Sequence, residues 1–256
     1  MRCSIGPWLS LLMLATACSS ETPGRNVPVV WQLDQNLAGD EADFDTDTGY
    51  HVHLDEARLA LGAVYAYSAA PSSVRAMASM QLERWFVSVA HAHGGLDAES
   101  GRKVLAELPQ LTIVDPLAPE PWFSDITVAE AGTVDAVKLE FAESGPSELH
   151  GGSVFVRGQA ERAGETLRFE AAVSLDAAVK ARSVDLTGLN ETLDTDVVLH
   201  IAVHPREWFR LCELDQLPAA LADEPVQVTA DTQVGRALVI GVRSPDAFSF
   251  RVDSEK

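Results

Sequence analysis

The chain has 256 residues, 46% of them apolar, and its 38 acidic and 19 basic side chains give a formal net charge of −19. So negative a chain is not expected to bind nucleic acid through phosphate contacts, which need a basic surface, while its apolar fraction is enough for a hydrophobic core. Three cysteines are too few for a disulfide framework or for a four-cysteine zinc site.

The first residues predict export from the cytoplasm. Arg2 is followed by an apolar run over residues 5–14. This run is shorter than the ~20 apolar residues that a transmembrane helix needs, and a short apolar run after a basic residue is typical of a secretion signal. We therefore expect residues 1–17 to be a signal peptide that is removed from the mature protein.

The end of the signal has the sequence LATAC at positions 14–18. Small residues before a cysteine resemble the lipobox of bacterial lipoproteins, although Ala15 stands where the usual pattern has leucine. The resemblance implies that Cys18 is lipidated and becomes the mature N-terminus, so that the membrane is a partner through this lipid. Ser19 resembles the pattern associated with sorting to the outer membrane. The alternative is ordinary signal cleavage near Ala17, which leaves Cys18 as a thiol.

Residues 18–48 are predicted to be an acidic, flexible tether that leads into a single β-rich domain over 49–256. The segment from Asp34 to Thr48 has six acidic residues and no basic one. Such a composition favours a solvated segment over a packed one.

At the end of this acidic segment, DFDTDTG at 43–49 resembles the opening of an EF-hand calcium loop. Because Leu54 occupies the place of the bidentate glutamate, calcium is the weaker interpretation.

From Tyr50 onward the sequence alternates between apolar and polar residues with a period of two, which is typical of β-strands. The dipeptide Ala163-Gly164 predicts a hairpin turn. Helix signals are few: Pro205 suits a first helical turn, and Asp97 is expected to cap a short helix over 100–105. The pattern predicts an all-β, antiparallel sandwich or barrel-like domain with one or two short helices. The predicted strands cover residues 59–67, 81–93, 126–141, 153–160, 166–175, 197–204, 226–229, 237–242 and 248–250.

The seven histidines include two His-x-His pairs, whereas random placement gives roughly 0.2 such pairs. Side chains two residues apart on a strand lie on the same face, about 7 Å apart, so both imidazoles of a pair can converge on one metal ion. We therefore predict a metal site formed by His51, His53, His91 and His93. Copper or zinc is the expected ion, because neutral imidazole is a good ligand for both. Solvated or structural histidines are the alternative.

His200 and His204 are a weaker candidate pair. They are four residues apart, about 13 Å on a strand, and they alternate with the apolar residues Leu199, Ile201 and Val203. A half-buried strand has the same pattern, so these histidines do not by themselves indicate a metal site.

The chain contains no recognisable catalytic motif. It lacks the His-Glu-x-x-His zinc motif, a phosphate-binding loop and a dinucleotide fingerprint, and Cys212 is expected to be buried and unreactive. The sequence looks like uncharacterised β-rich lipoproteins of Gram-negative envelopes. We therefore expect a lipid-anchored, non-catalytic, metal-binding protein of the cell envelope, on the periplasmic face or the surface of the outer membrane. The alternative is a β-sandwich interaction or structural module that holds another envelope protein and binds no metal.

Overall fold

Two mixed β-sheets form a sandwich. The computed structural model describes residues 24–34, 41–69, 102–110, 112–142, 148–175, 183–218 and 224–254. In these residues the helices are α1 (Pro205–Trp208) and α2 (Gln233–Val242), with 3-10 turns at Leu214–Gln216 and Pro245–Ala247. The strands are β1 (Asn26–Asp34), β2 (Asp43–Asp45), β3 (His51–Ser68), β4 (Val104–Leu108), β5 (Thr112–Val114), β6 (Trp122–Phe123), β7 (Thr127–Glu130), β8 (Gly132–Phe141), β9 (Val154–Arg162), β10 (Glu165–Val173), β11 (Ser183–Leu193), β12 (Val197–Val203), β13 (Val226–Val228) and β14 (Phe248–Ser254).

The smaller sheet has five strands in the described part of the chain. Its order is β14-β12-β1, and β6 and β7 both pair with the other edge of β1. The pairing of β1 with β12 is parallel, and the other pairings are antiparallel. The N-terminal strand is therefore an internal strand of this sheet, and both of its neighbours come from much later in the chain.

The larger sheet, of nine described strands, is organised around the long strand β3. The first half of β3 pairs with β9 and the second half with β8, while β2, β5 and β4 pair with its opposite edge. Strand β11 extends the sheet beyond β8, and β10 and β13 extend it beyond β9, the last pair being parallel. The predicted β-sandwich is confirmed, with two parallel pairings among mainly antiparallel ones.

One continuous hydrophobic core lies between the sheets and under the helices. The alternation of apolar and polar residues directs every second side chain of each strand into this core, where burial of apolar surface stabilises the fold. Among its largest fully buried side chains are Trp31, Leu33, Leu199, Leu59, Leu61, Leu139, Phe169, Trp208 and Phe209.

The prediction of a tether over 18–48 is wrong for residues 26–34 and 43–45, which form β1 and β2. Trp31 and Leu33 are fully buried. The buried positions of β1 alternate strictly along the strand, and this periodicity outweighs the polar composition of the surrounding segment. The DFD motif at 43–45 is likewise a strand, followed by a turn in which Gly49 has a φ of 80°, so it is not an EF-hand loop.

The predicted strand over 237–242 is a helix, α2. Thr232 caps it, its hydroxyl accepting a hydrogen bond from the backbone N–H of Gly235 at 3.0 Å. The buried residues Val234, Ala237, Leu238 and Val242 recur with helical spacing, which the β-branched side chains concealed. The short helix predicted over 100–105 is also wrong in its described part, because Val104–Leu108 is a strand. The predicted strand 81–93 lies outside the described residues.

Two further expectations concern Cys212 and membrane-spanning helices. Cys212 is buried, as predicted, and burial raises the pKa of its thiol to about 12, which keeps it protonated and unreactive. Within the described ranges, no helix combines the length and the apolar character needed to cross a bilayer.

Candidate metal-binding site

The first His-x-His pair lies on the outer face of the larger sheet, at the start of β3. Val52 and Leu54 point into the core, so the alternation of the strand turns His51 and His53 outward together. Their side chains retain 53% and 44% of their accessible surface. The predicted placement of this pair on one strand face is confirmed, and both imidazoles are accessible to an ion from solution.

Two aspartates of β2 face the histidine pair. In the antiparallel pairing, Asp43 lies opposite His53 and Asp45 opposite His51. The two carboxylate oxygens of Asp43 contact different rings: Oδ1 is 2.6 Å from His51 Nε2, and Oδ2 is 3.4 Å from His53 Nδ1. A single carboxylate therefore bridges the two imidazoles.

His51 is held by carboxylates at both ring nitrogens. Its Nδ1–H donates to Asp45 Oδ1 at 3.0 Å, and its Nε2 faces Asp43. The hydrogen bond to Asp45 is the main cause that raises the pKa of His51 above 6.5, and the negative charges of Asp43, Asp45 and Glu161 add to it, while desolvation opposes them. The metal-free site therefore favours a proton on His51, and a metal ion must displace that proton.

Two backbone features shape the site. The register between β3 and β9 shifts between Leu54 and Glu56, so Asp55 is the extra residue of a β-bulge, with its Oδ1 3.9 Å from His53 Nε2. Across the strands, a Cβ on Gly158 would lie 2.3 Å from the carbonyl oxygen of His53. Glycine at 158 thus permits the close approach of β9 that fixes the backbone of the histidine pair.

The side of the pair away from β2 is formed by β9. Gln159 lies opposite His53 and Glu161 opposite His51. The guanidinium of Arg162 stacks over the ring of Tyr50, 4.2 Å from its centroid, and this cation–π contact packs one end of the site. The immediate surroundings of the two imidazoles are therefore mainly carboxylates.

The other predicted ligands are outside the part of the chain that the structure describes. His91 and His93 lie in the stretch 70–101, and Cys18 precedes residue 24. Across the described ranges, no group of three or more His, Cys, Asp or Glu side chains is arranged to hold a metal ion as it stands. The described part of the predicted site therefore consists of two accessible imidazoles and their carboxylate partners.

The second histidine pair has a different role, since one ring contacts the last residue of β1 and the other contacts Glu41, shortly before β2. His200 Nδ1 lies 3.0 Å from Asp34 Oδ1, and His204 Nδ1 lies 2.9 Å from Glu41 Oε1. The remaining ring nitrogens contact Asp253 and Ser249, both on β14. His200 and His204 thus fix the exit from β1 and the entry to β2 against β12, and they do not converge on a common point.

A groove of about 900 Å³ reaches the site of His51 and His53 at Asp45. It runs between the β2–β3 turn, β11, α1 and the start of β14, and Asp45, which binds His51, also forms part of its wall. Neither His51 nor His53 lines this groove, so it meets the site through the Asp45 carboxylate. Other lining side chains include Phe44, Asp185, Arg206, Arg210 and Phe248.

Asp43 and Asp45 were not predicted as partners of the histidines. The sequence feature that could have predicted this contact is an Asp-x-Asp segment, then a turn, then a His-x-His segment. The middle residue of each segment, Phe44 or Val52, is buried. A hairpin with this pattern brings the two aspartates and the two histidines onto one face. The acidic composition around Asp43 and Asp45 instead suggested a solvated segment or a calcium loop.

No protein-family profile matches the chain, and no curated protein matches it. Among solved structures, MbnP from Methylosinus trichosporium is similar, with 11% sequence identity and a TM-score of 0.41 over 90% of this chain and 99% of that chain. A likeness this distant transfers no function, so the chemistry of the site is interpreted from the residues of the site itself.

Proposed function

We propose that this protein is a lipoprotein of the cell envelope, anchored through Cys18, that binds copper or zinc without catalysing a reaction. His51 and His53 supply two ligands, and His91 and His93 complete the site. The observation that supports the proposal is the pair of accessible imidazoles on one strand face, bridged by the carboxylate of Asp43.

The residue types suit a transition metal. Imidazole nitrogen is a common ligand for copper and zinc, and among divalent ions copper binds most strongly to an unselective nitrogen site. Asp45 holds Nδ1 of His51, and a carboxylate behind a ligating imidazole fixes the orientation of the ring and raises its basicity. In this arrangement Nε2 of His51 is the nitrogen that binds the ion, and Asp43 gives up its contact with that nitrogen.

Metal binding is tested on the mature chain, purified without an affinity tag. We expect stoichiometric copper or zinc by elemental analysis, and titration of Cu(II) or Zn(II) to the metal-free protein at pH 7.5 to give a saturable signal. The variant H51A/H53A should lose this binding. The matched control is H150N, since His150 is exposed and has a φ of 52°, a conformation that asparagine tolerates.

The variant H91A/H93A tests the second half of the site. A loss of affinity comparable to that of H51A/H53A would support the four-histidine site. Unchanged affinity would assign the ion to His51, His53 and their aspartates alone. A wild-type chain that takes up neither metal would contradict the proposal and favour the interaction module.

Lipidation is tested separately, by mass spectrometry of the mature protein from membranes. We expect an N-terminal peptide that begins at Cys18 and carries acyl chains, and we expect C18A to lose both the lipid and membrane association. A mature N-terminus with an unmodified thiol would contradict the lipid anchor without affecting the metal site.

A further inference from the structure

Three large apolar side chains project into solvent along one edge of the smaller sheet. Phe123, Ile126 and Val128 expose 52%, 74% and 51% of their surface. We call these three residues the apolar edge. The other large apolar side chains that are comparably exposed in the described residues, Leu211 and Ile240, lie on the α1 and α2 side of the molecule.

The backbone around the apolar edge is fixed. Phe123 lies opposite Gln32 and Val128 opposite Pro28, on the outward face of β1. Between them, Ser124 and Trp31 exchange two hydrogen bonds: the N–H of Ser124 donates to the carbonyl oxygen of Trp31 at 2.9 Å, and the N–H of Trp31 donates to Ser124 Oγ at 3.0 Å. The three side chains are therefore held outward on a rigid strand edge.

The apolar edge is next to the point where the chain enters the domain. Val128 pairs with Pro28, two residues from Asn26, where β1 begins. Seven residues lie between Cys18 and Asn26, and the eight residue steps span at most about 28 Å in any conformation. An anchor at Cys18 therefore keeps this edge close to the bilayer, so even weak contacts with lipid are favoured by the high effective concentration.

The charges around the apolar edge do not favour an anionic partner. Asp125 lies within it, the exposed Arg25 is a single basic residue beside the end of β7, and the nearby Lys103 is paired with Glu130. Large apolar side chains without a basic cluster suit the interface of a bilayer with zwitterionic headgroups, into which they insert by burial of apolar surface.

From this placement we infer that the apolar edge rests on the surface of the bilayer that holds the lipid anchor. The inference depends on the lipidation of Cys18 proposed above. It orients the sandwich with the β6–β7 edge toward the membrane. The metal site is on the other sheet.

The test uses the lipidated protein with I126C, labelled with an environment-sensitive fluorophore and reconstituted in phosphatidylcholine vesicles. The buried Cys212, with a pKa of about 12, is protected from labelling, and Cys18 carries the lipid. We expect the emission at position 126 to shift to the blue and to gain intensity on reconstitution, and the shift to persist in high salt. The control is T166C on β10 of the other sheet, an exposed position whose emission should not change.

Vesicle flotation distinguishes a missing contact of the apolar edge with the bilayer from a missing lipid anchor. Protein that floats with vesicles but shows no change at position 126 would overturn the inference while leaving the anchor intact. Protein that does not float would overturn the anchor, and the inference with it. A blue shift at position 126 that appears without vesicles, together with a dimeric mass, would assign the apolar edge to a second copy and overturn the bilayer contact.

Discussion

At the scale of single residues, the site depends on which group holds each imidazole nitrogen. Asp45 accepts from Nδ1 of His51 and exposes most of its own side chain, so its effect is electrostatic and orienting rather than structural. The carboxylate stabilises imidazolium in the metal-free protein and presents Nε2 to an ion in the metal-bound protein. The same contact therefore connects the protonation of the site to its affinity for metal.

The substitution D45N tests this connection. It removes the main cause of the raised pKa of His51, so we expect that pKa to move down toward 6.5 in an NMR titration of the metal-free protein. In the wild type, the stability that protonated His51 contributes is fully present below pH 6.5 and is lost as the pH rises through the raised pKa. D45N should reduce this contribution. The control D55N, whose carboxylate faces His53, should leave the pKa of His51 in place.

D45N should change both the metal affinity at high pH and the way in which the affinity depends on pH. Well above the raised pKa of His51, where protons no longer compete, we expect affinity to fall by about 10- to 100-fold because the ring loses its orienting carboxylate. As the pH falls through the raised pKa of His51, the wild type should lose affinity more steeply than D45N, because its His51 holds the proton more tightly. Parallel pH profiles for the two proteins would show that Asp45 does not act on a ligand.

At the scale of elements, β1 is the largest difference from the sequence prediction. Leu33 is fully buried in the internal strand of the smaller sheet, so L33A should lower the free energy of unfolding by about 2–5 kcal/mol, as measured by urea denaturation. The exposed neighbour Asn26 provides the control, since N26A should be close to neutral. Equal and small effects of the two substitutions would be inconsistent with a packed β1.

Helices α1 and α2 are in close contact at Gly241. A Cβ on Gly241 would lie 2.4 Å from the carbonyl oxygen of Trp208 in α1. Alanine is the better helix former by about 1 kcal/mol, yet we expect G241A to destabilise the protein by about 1–3 kcal/mol, because the two helices must move apart. R236A, on the exposed face of the same helix, should change the unfolding midpoint little. Stabilisation by G241A would show that the contact is loose.

At the scale of the whole molecule, periodicity predicted most of the described strands, since the start of β3, the second half of β9 and most of β10 alternate between buried and more exposed positions. β12 was also predicted, although nearly all of its residues are buried. Periodicity failed where composition or residue type opposed it, as in β1, which precedes an acidic stretch, and in α2, which is rich in valine. The outward placement of His51 and His53 follows from alternation alone. The identity of their neighbours does not, because pairing between β2 and β3 depends on tertiary packing rather than on local sequence.

Metal binding should stabilise the whole fold. The proposed site needs the folded arrangement of the imidazoles, so an ion at about 100 times its dissociation constant should add about 2.7 kcal/mol to the free energy of unfolding. We expect the melting temperature to rise with added copper or zinc and to return after chelation. H51A/H53A should show no rise, whereas H150N should respond as the wild type does. A rise in both variants would indicate binding elsewhere.

The internal position of β1 also constrains how the protein matures. β1 leaves the ribosome before the other strands, but its partners are β6, β7 and β12, the last of which ends at Val203. Until that late strand arrives, Trp31 and Leu33 have no sheet to join, and such long-range pairings form slowly. Completion of the smaller sheet must therefore await synthesis of most of the polypeptide, during which the apolar side chains of β1 remain without their core.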